Sequence, residues 1–160
     1  MVNLQDWRNR VMDWLLLLGV GVGLTPVVRF ALRRGANPDA MYSSTMPGRA
    51  EDEDGAPVGG VTRGGPTPCL MVAVGNPHIA VLLIAAGANV NCKMDRGFTA
   101  LHQAAARSTE SVVRMLLEAG AIADARMDDG TTPRDLAALY DCPEIVRLLD
   151  EWAAKPSEVS

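Results

Sequence analysis

Apolar residues recur at helical spacing in the middle of the chain. Leu101, Ala104 and Ala105 share one face of a predicted helix, and the side-chain oxygen of Thr99 can cap its start. A second predicted helix carries an apolar stripe at Val112, Val113, Leu116 and Leu117. Gly120 follows as a stop, because glycine adopts the left-handed conformation without steric cost. Helices this short are marginal alone in water, so we expect neighbours on both sides.

The same pattern of a short helix, a longer apolar helix and a Gly-Ala stop occurs elsewhere in the chain. Gly97 and Gly130 lie 33 positions apart, and so do Gly87 and Gly120. The preceding Gly-Ala pair lies 52 positions before Gly87, which indicates extra chain between the two. The acidic and glycine-rich residues 40–64 have no apolar periodicity, so we place a loop insertion there.

These spacings predict four repeats, of which the first and last act as caps. The segments are a divergent repeat 1 over 1–39, the loop insertion over 40–64, repeat 2 over 65–92, repeat 3 over 93–125, repeat 4 over 126–153 and a tail over 154–160, of which Pro156–Ser160 should fray. The apolar run from Trp14 to Leu24 is predicted to be the first helix of repeat 1, packed as core. It is too short for a membrane span, and no small-residue cleavage site of a secretory signal follows it.

Composition supports closely packed short helices, because 48% of the 160 residues are apolar and only 4% are aromatic. A net charge of −4 argues against nucleic-acid binding, which needs a basic face. The charge is uneven, since the first repeat is mildly basic and the last is acidic. The three cysteines are widely spaced and form no zinc pattern, so we expect reduced thiols, a cytoplasmic or nuclear location, and no metal or cofactor.

The residues Thr99-Ala100-Leu101-His102-Gln103-Ala104-Ala105 and the pairs Thr67-Pro68 and Thr132-Pro133 carry a family signature. With the 33-residue period, they make the chain resemble the ankyrin repeat family. The resemblance implies an all-α, ankyrin-like solenoid of stacked helix-turn-helix repeats with projecting hairpin-like loops. Pro68 suits a first helical position. Only repeat 3 keeps the signature histidine, and repeat 2 is one residue short between its helices.

The resemblance also implies a non-catalytic protein–protein interaction module that binds a partner protein through its loop tips and concave helix face. The positions that correspond to this surface are Lys93, Asp95, Arg96, Phe98, Ala106, Arg107, Arg126, Asp128, Asp129, Thr131, Leu139 and Tyr140. Phe98 and Tyr140 are the expected anchors, because aromatic residues dominate interface energies. Phe98 and Met127 are expected to be exposed on the loop tips.

Two alternatives stay open. The chain could be a small-molecule-binding protein or an enzyme that uses the concave face as a pocket and residues 40–64 as a lid, with His102, Asp135 and Tyr140 as the first catalytic candidates. We favour a structural role for His102, in which its ring bonds loop or threonine groups. The chain could also self-associate through repeat 1, because the apolar residues Leu15–Leu18 leave one helix face to be covered.

Overall fold

The computed structural model describes residues 4–42, 67–107 and 109–154, and most of them lie in short α-helices. The helices are α1 (Leu4–Val22), α2 (Thr25–Arg33), α3 (Cys69–Ala73), α4 (Pro77–Ala85), α5 (Ala100–Ala106), α6 (Glu110–Glu118), α7 (Pro133–Leu139) and α8 (Pro143–Ala154). Two short strands, β1 (Met41–Tyr42) and β2 (Thr67–Pro68), lie between α2 and α3. The chain divides into two compact units, Met1–Asn89 and Val90–Ser160.

In the first unit, two helix pairs stack on each other. Helix α1 packs against α2 and α3 against α4, while α1 also contacts α3 and α2 contacts α4. Strand β1 pairs antiparallel with β2, and Met41 lies opposite Pro68. The predicted insertion 40–64 therefore begins within this paired segment, because the backbone N–H of Cys69 also donates to the carbonyl of Ala40 at 3.0 Å. The remainder of the insertion lies outside the described residues, as does the tail beyond Ala154.

The second unit repeats this arrangement with α5 and α6 stacked on α7 and α8. The two apolar stripes predicted for repeat 3 are buried, and α8 contributes a third set to the same core. The buried residues are Leu101, Ala104, Ala105, Val112, Val113, Leu116, Leu117, Ile145, Leu148 and Leu149. The predicted all-α, ankyrin-like fold is thus confirmed.

Threonine caps distinguish the repeats. Thr99 and His102 form a reciprocal capping box at the start of α5, and Thr132 and Asp135 form another at the start of α7. In the second repeat Leu70 occupies the position that corresponds to His102 and Asp135, and its side chain cannot form a hydrogen bond. Helix α3 is accordingly uncapped and has five residues, against seven in α5. The expectation that Pro68 opens this helix is wrong, because Pro68 lies in β2.

Polar side chains bond backbone groups at or near the Gly-Ala turns within each unit. The Asp39 carboxylate accepts a hydrogen bond from the backbone N–H of Asn89 at 2.7 Å. Asn91 accepts from the N–H of Ile122 at 2.9 Å and donates its amide to the carbonyl of Gly120 at 3.0 Å. These side chains satisfy backbone groups that lie beyond the helix ends, where no intrahelical partner exists.

The prediction that the whole apolar run of α1 is core is wrong. Leu16, Leu17 and Val20 are buried, whereas Trp14, Leu18 and Val22 are 42%, 42% and 63% exposed. Within its unit, α1 packs against α2 and α3, so its remaining face is left uncovered. No helix among the described residues is both long enough and apolar enough to cross a membrane.

Candidate functional site

The loop before α5 is a closed, hairpin-like turn. The backbone N–H of Met94 donates to the carbonyl of Phe98 at 2.8 Å, which brings the two ends of the loop together. Arg96 and Gly97 at the tip both have positive φ, of 62° and 76°. The side chains of Lys93, Asp95 and Arg96 are exposed, so the predicted tip residues of this loop do face solvent.

The loop before α7 has the same form and is bonded to the first. The N–H of Met127 donates to the carbonyl of Thr131 at 3.0 Å, and the N–H of Asp128 donates to the carbonyl of Arg96 in the neighbouring loop at 2.9 Å. The carboxylate of Asp129 accepts from the N–H of Thr131 at 2.9 Å. Hydrogen bonding to Thr131 lowers the pKa of Asp129, since it favours the ionised form. Backbone bonds therefore hold the two tips in one arrangement.

His102 connects these loops to the helix layer below them. Its Nδ1 atom lies 3.3 Å from the backbone N of Thr99, which donates to it, so Nδ1 is the unprotonated ring nitrogen. The Nε2–H then donates to the carbonyl of Thr131 at 3.2 Å. The side chain is fully buried, and this burial lowers the pKa of His102 because the charged ring would lose hydration. The predicted hydrogen bonding of this ring to threonine groups is confirmed.

The expectation that Phe98 and Met127 are exposed on the loop tips is wrong. Both are half-buried. The Phe98 ring stacks on the His102 ring, with centroids 5.6 Å apart and an interplanar angle of 30°. Part of the Phe98 surface is therefore already used within the second unit, which leaves less of it for a partner.

The remaining predicted surface residues differ in exposure. Leu139 and Tyr140, at the end of α7, are 75% and 57% exposed. Arg107 at the end of α5 is exposed and Ala106 is half-buried. In the second loop Arg126, Asp128 and Asp129 are exposed, while Thr131 is half-buried. Leu139 is thus the most exposed large apolar residue among the described part of the chain.

The three catalytic candidates lie in different local environments. His102 is buried in the cap of α5, and Asp135 accepts hydrogen bonds from the N–H of Thr132 at 2.9 Å and from its hydroxyl at 2.7 Å in the cap of α7. These bonds lower the pKa of Asp135. Tyr140 is exposed beyond the end of α7. Each polar group of the two caps is thus engaged in holding a helix start.

The second unit has an open surface depression of about 220 Å³. Its lining residues are Glu110, Asp141, Cys142, Glu144 and Ile145. It is open to solvent rather than enclosed, unlike a typical small-molecule site, which buries most of its ligand. Among the described residues, no group of three or more histidine, cysteine and acidic side chains could hold a metal ion.

A family model of ankyrin repeats, in three copies, matches residues 69–158, which is more than half of the chain. The chain belongs to the ankyrin repeat family. The matched range takes in the two capping boxes and the paired loops, and it begins after the first helix pair. The search of curated proteins finds no match to this ankyrin repeat protein.

Sequence reasoning on this ankyrin repeat protein expected Leu15–Leu18 to leave one face of the first helix uncovered, but it did not identify the residues that form this face. Trp14, Leu18 and Val22 are one helical turn apart and lie in a row on α1, which we call the α1 stripe. The signal was present, because these positions follow an i, i+4, i+8 spacing. Another face of the same helix, formed by Leu16, Leu17 and Val20, is equally apolar. The sequence pattern alone therefore could not show which of the two faces is buried.

Proposed function

We propose that this chain is a non-catalytic protein-binding module and that its second unit provides the binding surface. Ankyrin repeats in general are protein–protein interaction modules, which supports the class of function. The surface comprises the two bonded loop tips, at 93–98 and 126–131, together with Arg107, Leu139 and Tyr140. We call it the loop-tip surface.

The observation that carries this proposal is the hydrogen bond from the N–H of Asp128 to the carbonyl of Arg96, at 2.9 Å. It fixes two loop tips relative to each other before any partner arrives. A surface that is already ordered loses less conformational entropy on binding. Exposed Lys93, Arg96 and Asp129 supply charges of both signs for a polar rim.

Leu139 and Tyr140 supply the apolar part of the proposed contact. Their exposure, 75% and 57%, leaves apolar area that a partner would cover. Tyrosine is enriched among the residues that dominate interface energies, and Leu139 adjoins it. We therefore expect Tyr140, rather than the half-buried Phe98, to be the main anchor. The proposal includes a cytoplasmic or nuclear location, which is supported by the wide spacing of the cysteines.

The test is proximity labelling in cells that express the full chain, with wild type compared with the variant Arg107→Ala, Tyr140→Ala. Val81 is an exposed apolar residue on α4, so Val81→Ala is the matched control. We expect the same set of labelled proteins for wild type and control, and loss of a subset for the double variant. Far-ultraviolet circular dichroism checks that all three proteins fold. An unchanged set of labelled proteins for the folded double variant would contradict the proposed surface.

A further inference from the structure

The α1 stripe is an apolar surface with basic neighbours. Trp14, Leu18 and Val22 are exposed along one row of the helix. Arg10 precedes Trp14 by one turn on the same row, and both Arg8 and Arg10 are exposed. The acidic Asp13 of α1 is half-buried and accepts a hydrogen bond from the N–H of Asn37 at 2.6 Å. The stripe therefore presents apolar area with two exposed arginines near one end.

The second unit carries a surface of the opposite charge. Leu139 and Tyr140 are exposed, and they are followed by exposed Asp141 and Glu144 beside the open depression. We call these four residues the acidic patch. Two other acidic side chains of the unit form ion pairs with arginines. Glu110 lies 2.9 Å from Arg114, and Asp150 lies 2.6 Å from Arg134.

We propose that the α1 stripe of one copy binds the acidic patch of a second copy of this chain. Each surface has exposed apolar residues, and their charges are opposite, so burying the apolar area also brings Arg8 and Arg10 near Asp141 and Glu144. Complementary charges of this kind favour encounter and select the partner. This inference rests on the proposed function, because the acidic patch shares Leu139 and Tyr140 with the loop-tip surface.

The contact joins two different surfaces of the chain. Two copies can pair reciprocally, with each stripe on the other copy's patch, or a single contact can leave one stripe and one patch uncovered, so that further copies add until a ring closes or an open chain grows. Pairing of the stripe with itself would cover the same apolar residues but leave Arg8 and Arg10 without acidic partners. Opposite charge therefore favours the stripe-to-patch contact over a stripe-to-stripe pair.

The test is analytical ultracentrifugation of the purified full chain over a wide concentration range. We expect the weight-average mass to rise with concentration to that of two or more chains. We also expect association to weaken as salt is raised, because the screening length falls from about 30 Å at 0.01 M to about 3 Å at 1 M ionic strength. A monomer at every concentration would overturn the proposal.

Two variants then separate the surfaces. The stripe variant is Trp14→Ser, Leu18→Ser, and the patch variant is Leu139→Ser, Tyr140→Ser. All four residues are exposed, so we expect folding to survive, and Val81→Ser and Ile122→Ser are matched controls on exposed apolar residues elsewhere. Each surface variant alone should associate about tenfold or more weakly than wild type, since exposed aromatic residues are typical interface anchors.

An equal mixture of the two variants gives the decisive result. The intact stripe of the patch variant can still bind the intact patch of the stripe variant, so the mixture should form complexes of two chains and stop there. Association of the patch variant at wild-type strength would overturn the proposal, because it would indicate pairing of stripe with stripe. If the chain is monomeric but the cellular partner subset still depends on Arg107 and Tyr140, this inference fails and the proposed function stands.

Discussion

The Nε2 atom of His102 lies 3.2 Å from the carbonyl oxygen of Thr131, a residue 29 positions further along the chain. One buried imidazole thus ties the start of α5 to the loop before α7. The bond requires the neutral ring with its proton on Nε2, because Nδ1 accepts from the N–H of Thr99. Protonation of Nδ1 would place its N–H against the N–H of Thr99, so that two hydrogen-bond donors would face each other.

This arrangement makes stability depend on pH. Burial lowers the pKa of His102 in the folded chain below the ordinary value of 6.5, so the unfolded chain binds more protons between the two pKa values. Stability is therefore fully present above about pH 6.5 and is lost as the pH falls through the folded pKa. Urea unfolding at a series of pH values measures this loss. The loss of stability above about pH 5 is attributed to histidine, because the pKa values of paired carboxylates are lower.

The control for this prediction is His102→Gln. Glutamine keeps an amide that can donate and a carbonyl that can accept, but it does not titrate. We expect the variant to be less stable than wild type at pH 7 and to lose less stability between about pH 6.5 and 5. A slope equal to that of wild type in this range would show that another group is responsible.

The second prediction compares two threonines at equivalent positions. Thr99 is buried and its hydroxyl lies 2.9 Å from Nδ1 of His102, whereas the buried hydroxyl of Thr67 has no hydrogen-bond partner among the described residues. Thr99→Val should destabilise the chain by about 1–2 kcal/mol through loss of the cap. Thr67→Val should be neutral or stabilising by up to about 1 kcal/mol, because it removes an unsatisfied polar group.

Urea unfolding of both variants measures the difference. Each change keeps the shape of the side chain and its branching at Cβ, so packing and backbone preference are held nearly constant. Equal destabilisation by the two substitutions would contradict this prediction, because it would show that the Thr67 hydroxyl forms a stabilising hydrogen bond.

The third prediction concerns two glycines with the same backbone conformation. Gly97 has φ of 76° and Gly130 has φ of 86°, so alanine is strained at either position by about 1 kcal/mol. A Cβ at Gly97 would also lie 3.1 Å from the carbonyl oxygen of Arg126 and 3.2 Å from Cα of Met127, whereas nothing lies within 4 Å at Gly130. Gly97→Ala should therefore cost about 1–2 kcal/mol more than Gly130→Ala.

Thermal unfolding of the two variants checks this difference, and partner labelling checks its consequence for function. Because the crowding at Gly97 comes from the neighbouring loop, Gly97→Ala should also disturb the bonded pair of tips. Equal unfolding temperatures for the two variants would contradict the close approach of the loops.

Much of this fold follows from sequence, and the reason is its periodicity. The spacing of Leu101, Ala104 and Ala105 specifies a buried helix face, because an α-helix returns to the same side every 3.6 residues. Thr99 and Thr132 mark helix starts for an equally local reason, since a cap is made within three residues. Local rules of this kind hold where the chain supplies both partners of the capping hydrogen bonds. The prediction that Pro68 opens a helix failed because Leu70 cannot form a capping box with Thr67.

The exposure of the proposed binding surface was harder to predict, since exposure depends on contacts between elements. Phe98 is adjacent in sequence to exposed loop residues, yet its ring stacks on His102. The burial of one side of α1 depends on where α2 and α3 pack, which the apolar residues of α1 do not encode by themselves. The twelve predicted surface residues remain predictions, and their exposure now ranks Leu139 and Tyr140 above Phe98 as contacts.

The fourth prediction concerns the amide of Asn91, which contacts two backbone groups of the next turn. Its Oδ1 accepts from the N–H of Ile122 at 2.9 Å and its Nδ2 donates to the carbonyl of Gly120 at 3.0 Å. Asn91→Ala should destabilise the second unit by about 1–2 kcal/mol through loss of these bonds. Asn91→Asp should destabilise it too, although the side chains are nearly identical in shape, because a carboxylate oxygen would then face the carbonyl of Gly120. Amide hydrogen exchange separates the two cases, since the N–H of Ile122 should lose protection in Asn91→Ala and keep more of it in Asn91→Asp. Protection of this N–H that is unchanged in both variants would show that Asn91 does not hold the turn.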